Sequence, residues 1–372
     1  MILKYLSCLL FILCFVNSNA QQENHSTYTT SIKFHYGVLI PHHKRISDIR
    51  EESIRAIEIN FGLIPSSEKK WAQIYNQTEV GLGLYRGSLG NDKILGQVTA
   101  LFPYINFHIL RSKKIHIIYH FGVGLGLNSR KFHPTNNKTN IAISTSLNTF
   151  FNLAFDAEFE LSNRWQLTGG IGMNHLSNVA IKLPNKGLNN LTGNLALKYA
   201  LSDRPKNSFL NKINRFKKLN NEISLAWNHG IKQVDKKSHH NYYISSISSY
   251  YAIGISPKQH LGLGLDLFYD TSSGQKNSNQ PVKTRFKERF RQAFFIASDW
   301  YIDKFVILTH VGIYTLYKTK PEKAFYGRIG FRYTIGKHLF ANINLKAHWA
   351  TADFIEFGFG YRIQMRKKHG FK

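Results

Sequence analysis

The sequence predicts an all-β chain that crosses a membrane as an antiparallel up-and-down β-barrel of roughly 12–16 strands. Three observations carry that expectation. Apolar residues recur with period two over segments of about 9–11 residues, the length of a tilted transmembrane strand. No stretch after Ala20 is apolar for the ~18 residues that a membrane helix needs. The chain also opens on an export signal. An eight-stranded unit ending near Leu201, followed by a second barrel-like half, is the alternative architecture. One barrel is preferred, because only the true C-terminus carries an insertion-like strand.

The export signal comes first. Lys4 precedes an apolar run from Leu6 to Val16, and Ser18, Asn19 and Ala20 form a small-residue site, so residues 1–20 read as a signal peptide cut after Ala20. Cys14 follows Ile12 and Leu13 rather than small residues, which argues against lipidation. Cys8 and Cys14 both lie in the removed segment. The mature chain then has no disulfide and no thiol chemistry, and residues 21–372 must close by hydrogen bonds and packing alone.

Composition fits membrane strands, with 19 Tyr, 27 Phe and only 9 Pro. From Phe151 the odd positions read Phe151, Leu153, Phe155, Ala157, Phe159 and Leu161, whereas Asn152, Asp156, Glu158 and Glu160 occupy the even face. The same alternation runs through Ile115–Leu125 and Leu261–Tyr269, and it closes the chain at Ile355, Phe357, Phe359, Tyr361 and Ile363. About sixteen strand candidates emerge from this period. They include 31–40, 54–64, 114–127, 147–161, 165–177, 189–201, 223–232, 260–270, 338–349 and 353–364. A soluble sandwich also alternates, but these strands run long for one, and aromatics gather near their ends as interface girdles do. Residues 202–221 break the pattern; Phe209, Leu210, Ile213 and Phe216 fall at helical spacing among basic residues, as in a surface helix or a solvated loop.

The strand 165–177 contains the informative exception. Its odd face reads Trp165, Leu167, Gly169, Ile171, Met173, and then His175 and Ser177. A polar pair that continues a lipid-facing row is costly unless it has a use. On the next strand Asn189 is in phase with Leu191, Leu195 and Leu197, and Pro184 to Gly187 supply the turn between the two strands. His175, Ser177 and Asn189 can therefore meet on one outward patch of the hairpin 165–201.

A serine hydroxyl becomes a nucleophile when a base within hydrogen-bond reach takes its proton, and histidine suits that role near neutral pH. A third group orients the imidazole, which an asparagine can do. Asn178 is placed to donate to an oxyanion. His-x-Ser alone says little in a chain with 17 His. The longer pattern says more: His175, Ser177 and Asn178 end one strand, and Pro184, Asn185 and Gly187 form the turn before the next.

That pattern resembles the signature of the PagL family, the lipid A 3-O-deacylases. Pro41, His42, His43 and the stretch Ile355–Gly358 look like larger relatives grouped with acyloxyacyl hydrolases. The resemblance implies Ser177 as nucleophile, His175 as general base, Asn178 as oxyanion donor and a mechanism without metal or cofactor. It covers about residues 165–201 and departs from the family twice. The family's orienting glutamate is replaced by Asn189, and the chain is about twice the length of the simplest, eight-stranded members, so the resemblance leaves residues 222–372 without a role.

The formal charge of +27 would ordinarily suggest nucleic acid. In an exported barrel the anion to expect is instead the lipid A phosphate of lipopolysaccharide, in the outer membrane of a Gram-negative-type cell. The pairs His42/His43 and His239/His240 do not make a ready metal chelate, because adjacent strand residues point to opposite faces. Asp353, Glu356, Lys346 and His348 read as a polar network inside the barrel. The expected activity is hydrolysis of a 3-O-linked hydroxyacyl ester of lipid A. The rival is a non-catalytic barrel, either a channel or a lipopolysaccharide-binding scaffold.

Overall fold

The computed structural model describes residues 26–66, 68–204, 219–234, 240–275, 284–321, 323–349 and 351–366. The expected signal peptide, most of the basic segment 202–221 and the tail after Arg366 lie outside the described residues. Among the described residues no helix is long and apolar enough to cross a membrane, which leaves strand crossing open.

Sixteen strands follow one another in the chain. The first eight are β1 (Thr27–Ile40), β2 (Ile54–Ile64), β3 (Glu79–Ser88), β4 (Gln97–Arg111), β5 (Ile115–Asn128), β6 (Leu147–Glu160), β7 (Trp165–Ser177) and β8 (Leu188–Ala200). The second eight are β9 (Asn220–Lys232), β10 (Tyr242–Gly254), β11 (Gln259–Asp270), β12 (Phe290–Ile302), β13 (Phe305–Tyr317), β14 (Phe325–Ile335), β15 (Leu339–His348) and β16 (Thr351–Arg366). Each set closes into its own antiparallel barrel. β1 pairs with β8 from Thr29↔Ala200 to Ile40↔Asn189, and β16 pairs with β9 from Phe357↔His229 to Arg366↔Asn220. The preferred single barrel thus gives way to the alternative of two. The physical reason is closure: hydrogen bonding between β1 and β8 leaves no edge for β9 to join, and β9 opens a new sheet.

The period-two pattern sorts side chains as the sequence suggests. Phe155, Ile171, Leu195, Leu263 and Phe359 face outward, and Asp156, Glu158, Asn152 and Asp266 face the lumen. Eight strands enclose just enough room for side chains. In the first barrel the lumen has two layers. Tyr85, Phe102 and Phe150 pack with Leu176 and Leu188 toward one end. Gly83 and Gly122 make room for this layer, since a Cβ on either would lie 2.4 or 2.6 Å from the Phe102 ring. The second layer is ionic. Lys33 pairs with Asp156 at 2.8 Å, and Lys198 bridges Glu79, at 3.0 Å, and Glu158. Only a cavity of ≈ 20 Å³ remains among Lys33, Asn60, Glu79 and their neighbours.

The second lumen is also ionic. Arg328 joins Asp266 and Glu356 at 2.9 Å each, and Arg332 joins Glu222 at 2.6 Å and Asp299 at 3.3 Å. Lys346 and His348 both reach Asp353, at 2.8 and 3.3 Å, as expected around the last hairpin, whereas Glu356 is taken by Arg328 instead of joining them. Buried carboxylates are tolerated here because each meets a cation or a hydroxyl donor.

The two barrels touch at three levels. The Phe121 and Phe331 rings lie 6.1 Å apart, and the Tyr75 hydroxyl donates to the Tyr301 carbonyl at 3.0 Å. At the other end Gln233, just beyond β9, reaches the loop after β7.

Candidate active site on the outer face of the first barrel

β7 ends at Ser177. The cross-strand register sets His175 between Phe151 on β6 and Asn189 on β8, and sets Ser177 opposite Thr149. His175 and Ser177 thus continue the outward row of Ile171 and Met173. The His175 ring rests against Phe151, with centroids 5.9 Å apart. Its Nδ1 lies 2.6 Å from Oδ1 of Asn189. The expected contact between His175 and Asn189 is therefore formed. Ser177 is 6% exposed, and among the described residues its hydroxyl makes no hydrogen bond, to His175 or to any other group.

Asn189 has a second partner. Its Nδ2 lies 3.2 Å from Nδ1 of His42, and Nε2 of His42 lies 2.7 Å from the carbonyl oxygen of Lys186. His43 turns elsewhere: its Nδ1 accepts the N–H of Arg45 and caps a short helix, α1 (Lys44–Ser47). The two adjacent rings serve different ends, and they lie in the bend after β1 and not on a strand, so the strand alternation assumed from the sequence does not apply to them.

The connection from Ser177 to Leu188 is held on all sides. Gly187 has φ +75°, and a Cβ there would lie 2.9 Å from Cε1 of His175, so glycine admits the imidazole. The N–H groups of Lys186 and Gly187 donate to the carbonyls of Ile141 and Ala142 at 3.2 and 3.0 Å. Asn178 donates its backbone N–H to Asn185 Oδ1 at 3.1 Å, and its Nδ2 to Ser144 Oγ at 2.8 Å and to the Lys182 carbonyl at 2.9 Å. All three N–H groups of Asn178 are thus committed to the loop. Val179 and Ala180 follow at φ 51° and 60°. A β-branched residue is an outlier there, and each such position costs about 1–3 kcal/mol. The surrounding bonds hold the strain in place. Gln233 of the second barrel donates its backbone N–H to the Ala180 carbonyl at 3.0 Å, and its Oε1 accepts from Leu183 N–H at 3.0 Å.

Of the residues that the sequence singles out, the fold brings His175 and Asn189 into contact, while Ser177 ends β7 and Asn178 is bonded within the loop that follows. Sequence reasoning passed over His42 as a partner of Asn189, and over Ser144 and Gln233 entirely. The first needed the β1–β8 closure, and the third needed the second barrel.

Fold and site together define an outer-membrane-type β-barrel with a histidine–asparagine pair beside a serine on its lipid-facing surface. Residues 56–198 match the family of lipid A 3-O-deacylases (PagL), and residues 220–366 match the family described as acyloxyacyl hydrolase, C-terminal domain. The first match spans β2–β8, and the second coincides with β9–β16. The matches support lipid A deacylase activity and an outer-membrane location. No curated protein matches the sequence. Among solved structures, the Pseudomonas putida toluene transporter TodX is 6% identical with a TM-score of 0.18, covering 93% of this chain and 90% of its own. Pseudomonas aeruginosa OccK5 (OpdH) is 9% identical with a TM-score of 0.22, covering 94% and 100%. At these scores the barrel assignment rests on the strand pairing and not on the likeness.

Proposed function

We propose that the chain is a serine esterase that removes a 3-O-linked hydroxyacyl chain from lipid A. The observation that carries this reading is the His175–Asn189 hydrogen bond at 2.6 Å, set two residues from Ser177 on a lipid-facing row in a barrel that matches the PagL family. Asn189 Oδ1 accepts the hydrogen bond of Nδ1–H, which leaves Nε2 as the base. Ser177 Oγ attacks the ester carbonyl while His175 Nε2 takes its proton. The tetrahedral intermediate collapses as His175 returns that proton to the leaving sugar oxygen, and an acyl-Ser177 remains. Water, deprotonated by His175, then releases the hydroxy fatty acid and restores the serine.

Asn178 is the oxyanion donor in this scheme. The amide hydrogen on Ser144 Oγ is the one a developing negative charge can draw away, because Ser144 keeps its own bond to the Lys182 carbonyl at 2.7 Å. The membrane level fits the substrate. Odd-numbered strands of the first barrel run toward the site, where all four connections have eight residues or more, and the opposite end has the short turns 112–114 and 161–164 beside one longer connection, 65–78. Long loops belong to the outer side of such barrels, which supports an outer-leaflet position for Ser177, where lipid A lies. Conduction would need a wider lumen than eight strands enclose, so the structure lends the channel alternative no support.

Mass spectrometry of lipid A from cells expressing wild type, Ser177→Ala or His175→Ala tests the proposal. Wild type alone should lose one hydroxyacyl chain, and tandem fragmentation should assign it to the 3-O position. Unchanged lipid A with wild type would leave the scaffold reading, and loss of a different chain would overturn the assigned position.

A further inference from the structure

We infer that His42 is a positioning residue that allows a neutral asparagine to orient the catalytic histidine. The inference rests on the proposed roles of Ser177 and His175.

The heavy atoms determine where the protons sit. A carbonyl oxygen only accepts, so Nε2 of His42, 2.7 Å from the Lys186 carbonyl, carries hydrogen. In the neutral ring Nδ1 is then a bare acceptor. It faces Asn189 at 3.2 Å, so the atom turned toward it must be the amide nitrogen. That orientation points Oδ1 at His175, whose Nδ1 must then donate across 2.6 Å. The consequence at the far end is an unprotonated Nε2 on His175, the state a general base requires. Four groups thus form one directed chain, from His175 through Asn189 and His42 to a main-chain carbonyl.

The chain matters because an amide has two faces. Turned over, Asn189 would present Nδ2 to His175 and favour the tautomer with hydrogen on Nε2, which cannot take the serine proton. A carboxylate has no wrong face, since both oxygens accept, so an acid at this position would not need His42. The Lys186 carbonyl is itself fixed, because the N–H groups on either side of that peptide unit, those of Lys186 and Gly187, are tied to residues 141 and 142. The barrel closure provides the meeting, since β1 and β8 pair through Ile40↔Asn189 and His42 follows two residues on.

The test measures kcat and KM for lipid A hydrolysis with His42→Ala, in the native background and in Asn189→Asp, with heat-modifiable migration to show that each barrel folds. In the native background kcat should fall by at least about tenfold and by no more than the 10²–10⁴ that general-base catalysis supplies as a whole, with KM unchanged. His42→Asn, whose Oδ1 can stand in for the Nδ1 acceptor, should recover most of that loss. In Asn189→Asp the same His42→Ala change should have little effect. Equal losses in both backgrounds, or none in the native one, would overturn the inference while a dead Ser177→Ala still upheld the esterase. Activity surviving in Ser177→Ala would instead remove the reading on which it rests.

Discussion

Oε1 of Gln233, just beyond β9 of the second barrel, accepts the N–H of Leu183 at 3.0 Å, in the loop that follows the first barrel's candidate site. The second barrel thereby braces the strained segment Asn178–Ala180 directly after Ser177. Gln233→Ala removes one side-chain acceptor and keeps the backbone bond to Ala180. One such bond is worth about 1 kcal/mol, equivalent to about a fivefold drop in the correctly closed loop. Lipid A deacylation should slow by about that factor, with barrel folding unchanged on heat-modifiability gels. A rate equal to wild type would show that the brace plays no part in turnover.

Gly187 makes a second, sharper prediction. Alanine there must adopt φ +75° and place its Cβ 2.9 Å from the His175 ring. The backbone term is roughly 1–2 kcal/mol. The larger effect is on chemistry, since displacing a catalytic group by about 1 Å can lower the rate about 10²-fold. Gly187→Ala should therefore retain a folded barrel and lose most of kcat. If kcat stays within a factor of two, His175 has room to move and the tight seat is unimportant.

Asn178 provides a third test, because two roles compete for one amide. Its Nδ2 holds Ser144 and the Lys182 carbonyl. Ser144→Ala frees the hydrogen that the oxyanion is proposed to draw. If catalysis uses it, Ser144→Ala should keep or raise kcat, whereas Asn178→Ala should lower it by about 10²–10³, the usual loss of one oxyanion donor. Equal damage from both variants would assign Asn178 to loop structure alone.

How far these relations are legible depends on their range in sequence. The strands and their faces are readable because alternation is local: Phe151 to Leu161 state their own orientation. The His175–Asn189 contact is readable too, since a turn-bearing hairpin brings position 189 opposite 175 once the faces are in phase. The closure is not. Nothing in the residues of β1 states whether Ile40 pairs with Asn189 or with a strand near the C-terminus, and a preference for one barrel removes His42 from view. In the sequence that ring is one of an adjacent histidine pair with opposed faces, and its partner lies 147 residues away across a seam that only the fold reveals. The commitments of Asn178 are hidden for the same reason, because Ser144 comes from a different loop.

The buried cations of the second barrel allow a stability prediction that is independent of the chemistry. Arg332 is almost fully buried, with Glu222 at 2.6 Å, Asp299 at 3.3 Å and the Phe340 ring 4.5 Å from its guanidinium carbon. Removing it as Arg332→Ala leaves two carboxylates facing each other without that cation, although Arg362 still reaches Glu222 at 3.1 Å and His310 reaches Asp299 at 3.1 Å. Breaking a buried pair on one side typically costs about 3–5 kcal/mol, because an uncompensated charge stays behind. Neutralising all three members, with Arg332→Met, Glu222→Gln and Asp299→Asn, should recover most of that loss, since desolvation then no longer opposes folding. Urea unfolding in lipid vesicles, followed by tryptophan fluorescence, distinguishes the two variants. The single change should also slow lipid A deacylation, because a loosened second barrel no longer presents Gln233 firmly to the site loop. If Arg332→Ala unfolds at the same urea concentration as wild type, the remaining cations suffice and the central arginine is dispensable.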